Sequence, residues 1–257
     1  MLQLVYDGTM AGLLSAVFEA YERRVAGDAV IVRNTSAQPD AFAQRVEVHT
    51  DALRSRRVWQ GLSKKLSPDA LDQLFYCHLS ELPGIENVML QYIRYAFSHA
   101  GRIEEDFGHR AVLNIAQTAK RVWREKHRME AFVRFNEIKG NLFYAFIEPD
   151  FNVLPLIAPH FRSRYADQSW LIYDGIRKYG LHYDKESESL DEVYLEWNDP
   201  VSTGKPSKDV LAPGEEGYQQ LWKDYFKSTG IASRANPQLH LRHIPHRYWR
   251  HLTEKYG

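Results

Sequence analysis

The sequence has a single cysteine, Cys77, no excess of charge of either sign and no long apolar run. One cysteine excludes an internal disulfide and any zinc or iron–sulfur site built from several thiolates, and it is typical of a reducing compartment. No stretch approaches the roughly 18 apolar residues of a membrane span. The N-terminus also lacks the basic region of a signal peptide. We therefore expect a cytoplasmic protein without membrane contact.

Local signatures of several enzyme classes are missing as well. The sequence contains no Walker A loop, GxGxxG, HExxH, GxSxG or CxxC motif, which disfavours nucleotide-dependent, zinc-protease and α/β-hydrolase activities. No cofactor is expected. Carboxylates that meet from distant parts of the chain leave no local spacing, so catalysis remains an open alternative.

The chain of 257 residues, 44% of them hydrophobic, can bury a sizeable core. Residues 2–6 predict a strand, and Thr9 then caps a helix with apolar residues at helical spacing. "AVIVR" and "RVEVH" predict two more strands of a small N-terminal sheet. From about residue 51 to residue 127 the pattern is helical, with Ser67 as a further cap.

At Ala131 the apolar period changes to two. "AFVRFNEI", "KGN" and "LFYAFIE" predict a β-hairpin, "LPLIAPHFRSRY" a short helix, and "SWLIYD", "KYGLHYD" and "DEVYLEW" three more strands. The sequence thus predicts an α+β fold, an antiparallel sheet with flanking helices and a helical segment inserted after a small N-terminal strand–helix unit.

Composition divides the chain into three parts. Residues 1–197 are the α+β core domain, and the Pro-, Gly- and Ser-rich residues 198–217 are a linker or loop. Residues 218–257 form a C-terminal basic helical segment that we expect to pack on the core. Pro245 is predicted to begin its last helix.

Basic and aromatic residues cluster locally, although 33 basic and 33 acidic residues cancel over the whole chain. A basic helix, residues 110–128, leads into the hairpin, and its only acid after Arg110 is Glu125. Phosphate contacts and base stacking need such clusters. The candidate nucleic-acid-binding residues are Arg128, Arg134, Arg162, Arg164, Arg247, Tyr248, Trp249 and Arg250. The alternatives are a solvated helix face and, for Arg164, an ion pair with Asp174 or Glu148.

Three residues are candidates for acid, base or metal chemistry: Asp7, His160 and Asp174. Asp7 stands at a strand end, where catalytic groups often lie, but Asp-Gly is also a common turn sequence. Asp174 and Arg177 are close enough to pair across a turn, which would be a structural role. The histidines at 240, 243 and 246 do not predict a metal site, because Pro245 interrupts their helical register.

Five segments together carry a resemblance to a known family. They are "YDGTMAGLLSAVFEAYE", "EKHRMEAFVRF", "IEPDFNVLPLIAPHFRSR", "WLIYDGIRKYG" and "LWKDYFKSTGIASRANPQLHLRHIPHRYW". In this order, over residues 2–254, they resemble a bacterial family of unknown function that is associated with DNA metabolism.

The resemblance implies a genomic and functional context. Members are encoded beside a radical-SAM protein of DNA modification or repair, which implies DNA and that protein as partners. Some relatives carry a uracil-DNA-glycosylase-like domain; the sequence up to Gly257 shows none, so no glycosylase activity is expected. Any iron–sulfur cluster would belong to the radical-SAM partner, since one cysteine cannot hold it.

Three hypotheses follow. The leading one is a DNA-metabolism or DNA-repair accessory protein that binds nucleic acid, or the radical-SAM partner, through a basic and aromatic surface. The second is a nucleic-acid-processing enzyme in which Asp7, His160 and Asp174 meet in a cleft. The third is a protein–protein adaptor without nucleic-acid contact, whose arginines anchor an interface.

Overall fold

A computed structural model describes residues 2–36, 43–195, 210–215, 217–221 and 244–255. Contacts within the chain divide it into two compact units, Met1–Arg124 and Glu125–Gly257. The first unit holds a three-stranded sheet and the second a five-stranded sheet. The predicted α+β class is confirmed. In the described part of the chain, no helix is long and apolar enough to cross a membrane.

The sheet of the first unit is entirely parallel. β1 (Leu2–Tyr6) lies between β2 (Ala29–Arg33) and β3 (Gln44–Glu47). β1 and β2 are joined through helix α1 (Met10–Glu22), the crossover that parallel neighbours require. The N-terminal strands predicted from the sequence are therefore confirmed.

Helices surround this sheet in the first unit. After α1 they are α2 (Ala52–Ser63), α3 (Pro68–Leu79), α4 (Ile85–Ser98) and the start of α5 (Arg110–Phe132). Thr9 and Ser67 cap α1 and α3 as predicted, each accepting a hydrogen bond from the backbone N–H three residues later. Their apolar stripes meet β1 in a core that includes Leu4, Leu13 and Ile93.

The sheet of the second unit has the order β4–β5–β6–β7–β8. Its strands are β4 (Asn136–Ile138), β5 (Leu142–Ile147), β6 (Ser169–Asp174), β7 (Tyr179–Asp184) and β8 (Ser189–Val193). The predicted hairpin is confirmed: β4 and β5 are joined through Gly140 (φ 91°) and Asn141 (φ 58°), the residue types that tolerate a left-handed backbone.

One pair in this sheet differs from the antiparallel arrangement predicted. β5 and β6 are parallel, and Leu142 pairs with Ser169 at the start of both strands. Helix α6 (Leu154–Arg164), the predicted short helix, lies between them in sequence and returns the chain to the end of the sheet at which β5 starts. A helix between two strands makes the parallel pairing accessible, so the sheet is mixed.

Three predicted boundaries also shift. Residues 131–132 belong to α5, and the first hairpin strand begins only at Asn136. The last sheet strand ends at Val193, and the final helix, α7 (His246–Trp249), is a single turn that Pro245 precedes. The predicted division at residues 197 and 218 stays a prediction, because residues 196–209 lie outside the described ranges.

Candidate nucleic-acid interface

The last turn of α6 carries two exposed arginines, Arg162 and Arg164. The guanidinium carbon of Arg162 lies 6.0 Å from the ring centroid of Tyr183, and that of Arg164 lies 5.9 Å from the ring centroid of Tyr165. Arg162 also donates to the Glu188 carbonyl oxygen over 3.1 Å. Among the described residues neither guanidinium forms an ion pair with a carboxylate. We call these two residues the stacked arginines.

The position of the stacked arginines is favourable for cations. The C-terminus of a helix carries partial negative charge, which stabilises basic side chains in its last turn. His160 lies one helical turn before Arg164, and its ring contacts Phe161 edge-on with centroids 5.1 Å apart. The expected placement of His160 and Arg164 on one face follows from their spacing within α6.

A different environment surrounds Arg247 and Tyr248. Arg247 donates to Glu125 over 2.8 Å and also to Asp150 and the Tyr248 hydroxyl, while Tyr248 donates to Glu125 over 2.5 Å. The backbone N–H of Asp150 completes the set of donors to Glu125, over 3.1 Å. Glu125 is buried and satisfied from three directions, so these bonds attach α7 to the end of α5.

Tyr248 is itself buried, only 2% exposed. Burial, and then the neighbouring Glu125 carboxylate, raise the pKa of Tyr248 above its ordinary value. Its ring also packs at 5.2 Å, centroid to centroid, against Phe132 of α5. A ring held in this way is not accessible for base stacking.

Arg250 and His251 meet a second acid, Glu148, which follows β5. Their contacts to Glu148 are 2.8 Å and 3.1 Å long, respectively. The indole N–H of Trp249 donates to the Ile244 carbonyl oxygen over 2.9 Å, and its ring lies 5.0 Å from the Lys255 ammonium. The residues from 247 to 251 thus make many contacts within their own unit.

Arg128 and Arg134 have local partners. Arg128 lies 4.0 Å from Glu125, one turn away on α5. Arg134 donates over 2.7 Å to the carbonyl oxygen of Ala131 and over 3.2 Å to that of Val133, carbonyls that have no partner within the helix. Its guanidinium therefore caps the C-terminus of α5.

Sequence reasoning did not select Glu125 or Asp150 as partners of these arginines, and it named Glu148 only as a partner of Arg164. A signal for Glu125 was present. It lies three residues after Val122 and four before Met129, on the apolar stripe of a basic helix, where a charge is expected to be buried and paired. Glu148 and Asp150 carry no comparable local pattern, because only the fold brings residues 247–251 to them.

The predicted pairing of Asp174 with Arg177 is present. Their side chains form a 2.9 Å ion pair, and Asp174 also accepts the backbone N–H groups of Ile176 and Arg177. Arg177 donates onward to the carbonyl oxygens of Pro149 and Asp150, each over 3.1 Å. Burial raises the pKa of Asp174 against the influence of Arg177. The pair holds the turn after β6 against the segment after β5.

Asp7 lies in the first unit, directly after β1. It accepts hydrogen bonds from the Thr9 backbone over 2.9 Å, the Thr9 hydroxyl over 2.8 Å and the Thr50 hydroxyl over 2.6 Å. Burial raises its pKa, but these hydrogen bonds outweigh burial and hold the pKa below its ordinary value. A Cβ on Gly12 would collide with this carboxylate. Asp7 is therefore an ionised group that organises the entry to α1.

The three candidate catalytic residues are divided between the units. Asp7 belongs to the first, whereas His160 and Asp174 belong to the second. Their convergence in one cleft stays a prediction. Over the described residues no group of three or more His, Cys, Asp or Glu side chains is arranged to hold a metal ion; His240 and His243 lie outside those residues.

Comparison with known proteins places the chain in a family. The model of DUF4130, a domain of unknown function, matches residues 83–254, two thirds of the sequence. The chain belongs to the DUF4130 family. No curated protein matches.

Among solved structures, the chain is similar to the pGpG-specific phosphodiesterase PggH from Vibrio cholerae. The two chains are 9% identical, and the alignment covers 89% of this chain and 99% of that one with a TM-score of 0.33. A likeness of this size supports no conclusion about fold or activity.

Proposed function

We propose that this DUF4130 chain is an accessory protein of DNA metabolism and repair that binds nucleic acid through the stacked arginines of α6. The observation that carries the proposal is the state of Arg162 and Arg164. Both are exposed, both lie over tyrosine rings, and neither has a carboxylate partner among the described residues. Their charges are available to an anion from outside the chain.

Phosphate is the anion that this arrangement suits. A guanidinium that lies over an aromatic ring can still direct N–H groups outward, and such groups match two phosphate oxygens at once. Arg162 already donates one N–H to the Glu188 carbonyl oxygen, so Arg164 keeps more donors for phosphate. Because the ring restricts the side chain before binding, less conformational entropy is lost when phosphate arrives. Arg128 and Arg250, which are partly exposed at 32% and 59%, would add weaker contacts in competition with Glu125 and Glu148.

The resemblance to proteins of DNA metabolism supports DNA as the nucleic acid. It also supports a radical-SAM protein of DNA modification or repair as the partner that acts on it. In this proposal the chain holds the DNA and the partner performs the chemistry. Arg247 and Tyr248 then serve to attach α7 and do not contact the DNA.

The test is binding of the purified chain to labelled single- and double-stranded DNA over a series of salt concentrations. For each phosphate contact to duplex DNA, the slope of log K against log salt changes by about 0.9. We therefore expect the double variant Arg162→Gln/Arg164→Gln to lower the slope by about 2 and to bind at least about tenfold more weakly at low salt.

The matched control is Arg56→Gln/Arg57→Gln. These neighbouring arginines of α2 are also exposed, and the Arg57 guanidinium carbon lies 5.7 Å from the Phe18 ring centroid. The control makes the same change in net charge and should keep the wild-type slope. An equal loss in both variants would mean that bulk charge, not α6, binds DNA. Absence of binding by the wild type at low salt would leave the adaptor role, to be tested by capture of the radical-SAM protein.

A further inference from the structure

An open groove in the first unit combines two arginines that no described residue pairs with the exposed ring of Tyr21 and the partly buried rings of Tyr95 and His109. Its walls are the end of α1 with the turn into β2 on one side, and α4 on the other. The larger part has a volume of about 730 Å³, and an adjoining part of about 580 Å³ shares Ala26, Gly27, Gln91 and Arg94 with it. Ligand sites for small molecules occupy roughly 300–1,000 Å³.

Two arginines supply the charge, Arg94 from α4 and Arg24 from the turn after α1. Arg94 is half-buried, and its guanidinium lies over Gly27, with Nη2 3.5 Å from where a Cβ would be. Neither arginine has an ion pair or a side-chain hydrogen bond to any described residue. In an open groove water can solvate such a cation, and an anion that enters the groove can replace that water with a charge-assisted hydrogen bond. Asp28 is an acid of the described groove wall; it is exposed and lines the adjoining part, which Arg94 also lines.

Aromatic rings line the same groove. Tyr21 is 40% exposed. Burial raises the pKa of Tyr21, and the nearby positive charge of Arg94 acts in the opposite direction. Tyr95 and His109 are stacked with ring centroids 4.0 Å apart and planes within 2°. Gln91 also lines both parts of the groove and adds an amide with donor and acceptor.

From this combination we infer that the groove binds a nucleotide. Its phosphate pairs with Arg94 and Arg24, and its base lies against the aromatic wall, where Gln91 can contact the base edge. A flat π-system joined to a phosphate matches the combination of an exposed tyrosine ring with arginines that no described residue pairs. The inference concerns the first unit and does not depend on the stacked arginines of α6.

The test measures binding of AMP to the full chain by calorimetry, with adenosine and inorganic phosphate as partial ligands. We expect AMP to bind more tightly than either part. Arg94→Gln should weaken AMP binding about tenfold or more, because a charge-assisted pair is lost, and should leave adenosine binding nearly unchanged. Tyr21→Leu should weaken AMP and adenosine alike. Circular dichroism would verify that both variants fold.

Arg56→Gln, an exposed arginine of α2 in the same unit, is the control and should bind AMP as the wild type does. A 5′-phosphorylated single-stranded DNA of twelve nucleotides gives the second arm. If only the oligonucleotide binds, and Arg94→Gln abolishes that binding, the groove takes the end of a strand and not a free nucleotide. The inference is overturned if neither ligand binds at millimolar concentration, or if Arg94→Gln binds as well as the wild type.

The variants also separate this inference from the proposed function. Arg162→Gln/Arg164→Gln should retain AMP binding, and Arg94→Gln should retain the salt slope for duplex DNA. Either idea can therefore fail while the other stands.

Discussion

Two pairs of arginines in the second unit differ in what neutralises them. Arg162 and Arg164 lie over tyrosine rings and have no carboxylate partner among the described residues. Arg247 and Arg250 pair with Glu125, Asp150 and Glu148. All four looked alike in the sequence, as arginines in basic, aromatic windows. The comparison teaches that a basic window identifies charge but not whether that charge is available to a ligand.

The physical reason is that a buried acid requires compensation. Glu125 is 2% exposed, so its charge must be hydrogen-bonded and paired within the protein. Arg247 and Tyr248 provide this compensation and in doing so connect residues more than 120 positions apart. No buried acid among the described residues faces the stacked arginines, which leaves their charges to solvent or to a ligand in our proposal.

The largest loss of stability is expected when Glu125, the buried acid that Arg247 and Tyr248 neutralise, is removed. Glu125→Ala removes the acceptor for Arg247, Tyr248 and the Asp150 backbone and should destabilise the protein by about 2–4 kcal/mol. Urea denaturation followed by circular dichroism would measure the change. Glu130→Ala is the control on the same helix. Its i,i+4 pair with Lys126 is partly exposed, and no described backbone N–H donates to it, so a loss of about 1 kcal/mol or less is expected. Equal losses would mean that Glu125 has no special role.

A smaller change in stability is expected when the pH falls and His251, which contacts Glu148, becomes protonated. Burial lowers the pKa of His251 below its ordinary value, although Glu148 acts in the opposite direction. The folded state therefore favours neutral His251, and this contribution to stability is complete above about pH 6.5. It is lost as pH falls through the lowered folded-state pKa.

His251→Gln should reduce this pH dependence. Urea midpoints of the two proteins between pH 7.5 and pH 4.5 should differ in slope, with the wild type losing more. The two proteins must be compared because His78 in the first unit also titrates in this range. Burial lowers the pKa of His78 to about 4, so both proteins lose stability from His78 as the pH falls. Parallel pH profiles would contradict a buried neutral His251.

The smallest effect on stability is expected at the stacked arginines. Arg162→Gln/Arg164→Gln removes two exposed charges that compensate no buried group in the described part of the chain, so the change in the free energy of unfolding should stay within about 0.5 kcal/mol. The same variant should show the loss of DNA binding described above. A destabilisation as large as that of Glu125→Ala would show that the two pairs do not differ in kind.

Prediction from the sequence succeeded where the signal was local. The caps at Thr9 and Ser67, the strands of the N-terminal sheet and the hairpin turn at Gly140 and Asn141 depend on neighbouring residues only. It was wrong where two local signals competed. The alternating residues after Ala131 suggested a strand, but the helical stripe of α5 continues through Phe132, and packing decided the boundary.

In the candidate site, too, local contacts were predicted from the sequence and long-range contacts were not. The sequence predicted the pair Asp174–Arg177, because its members are three residues apart. It left open whether Arg164 pairs with Asp174 or Glu148. In the structure Asp174 pairs with Arg177, and Glu148 with Arg250 and His251. Neither the groove at Arg94 nor the burial of Glu125 was predicted, since both depend on elements that are remote in sequence.

The sequence by itself determined the α+β class, most of the element order and the local clusters of basic and aromatic residues, because periodicity, caps and turns act over a few residues. Only the tertiary structure decided that β5 and β6 run parallel and which arginines are neutralised. Pairing between distant strands and charges depends on long-range packing. Burial of Glu125 without a partner would be costly, and for this reason Arg247 forms an internal ion pair with it.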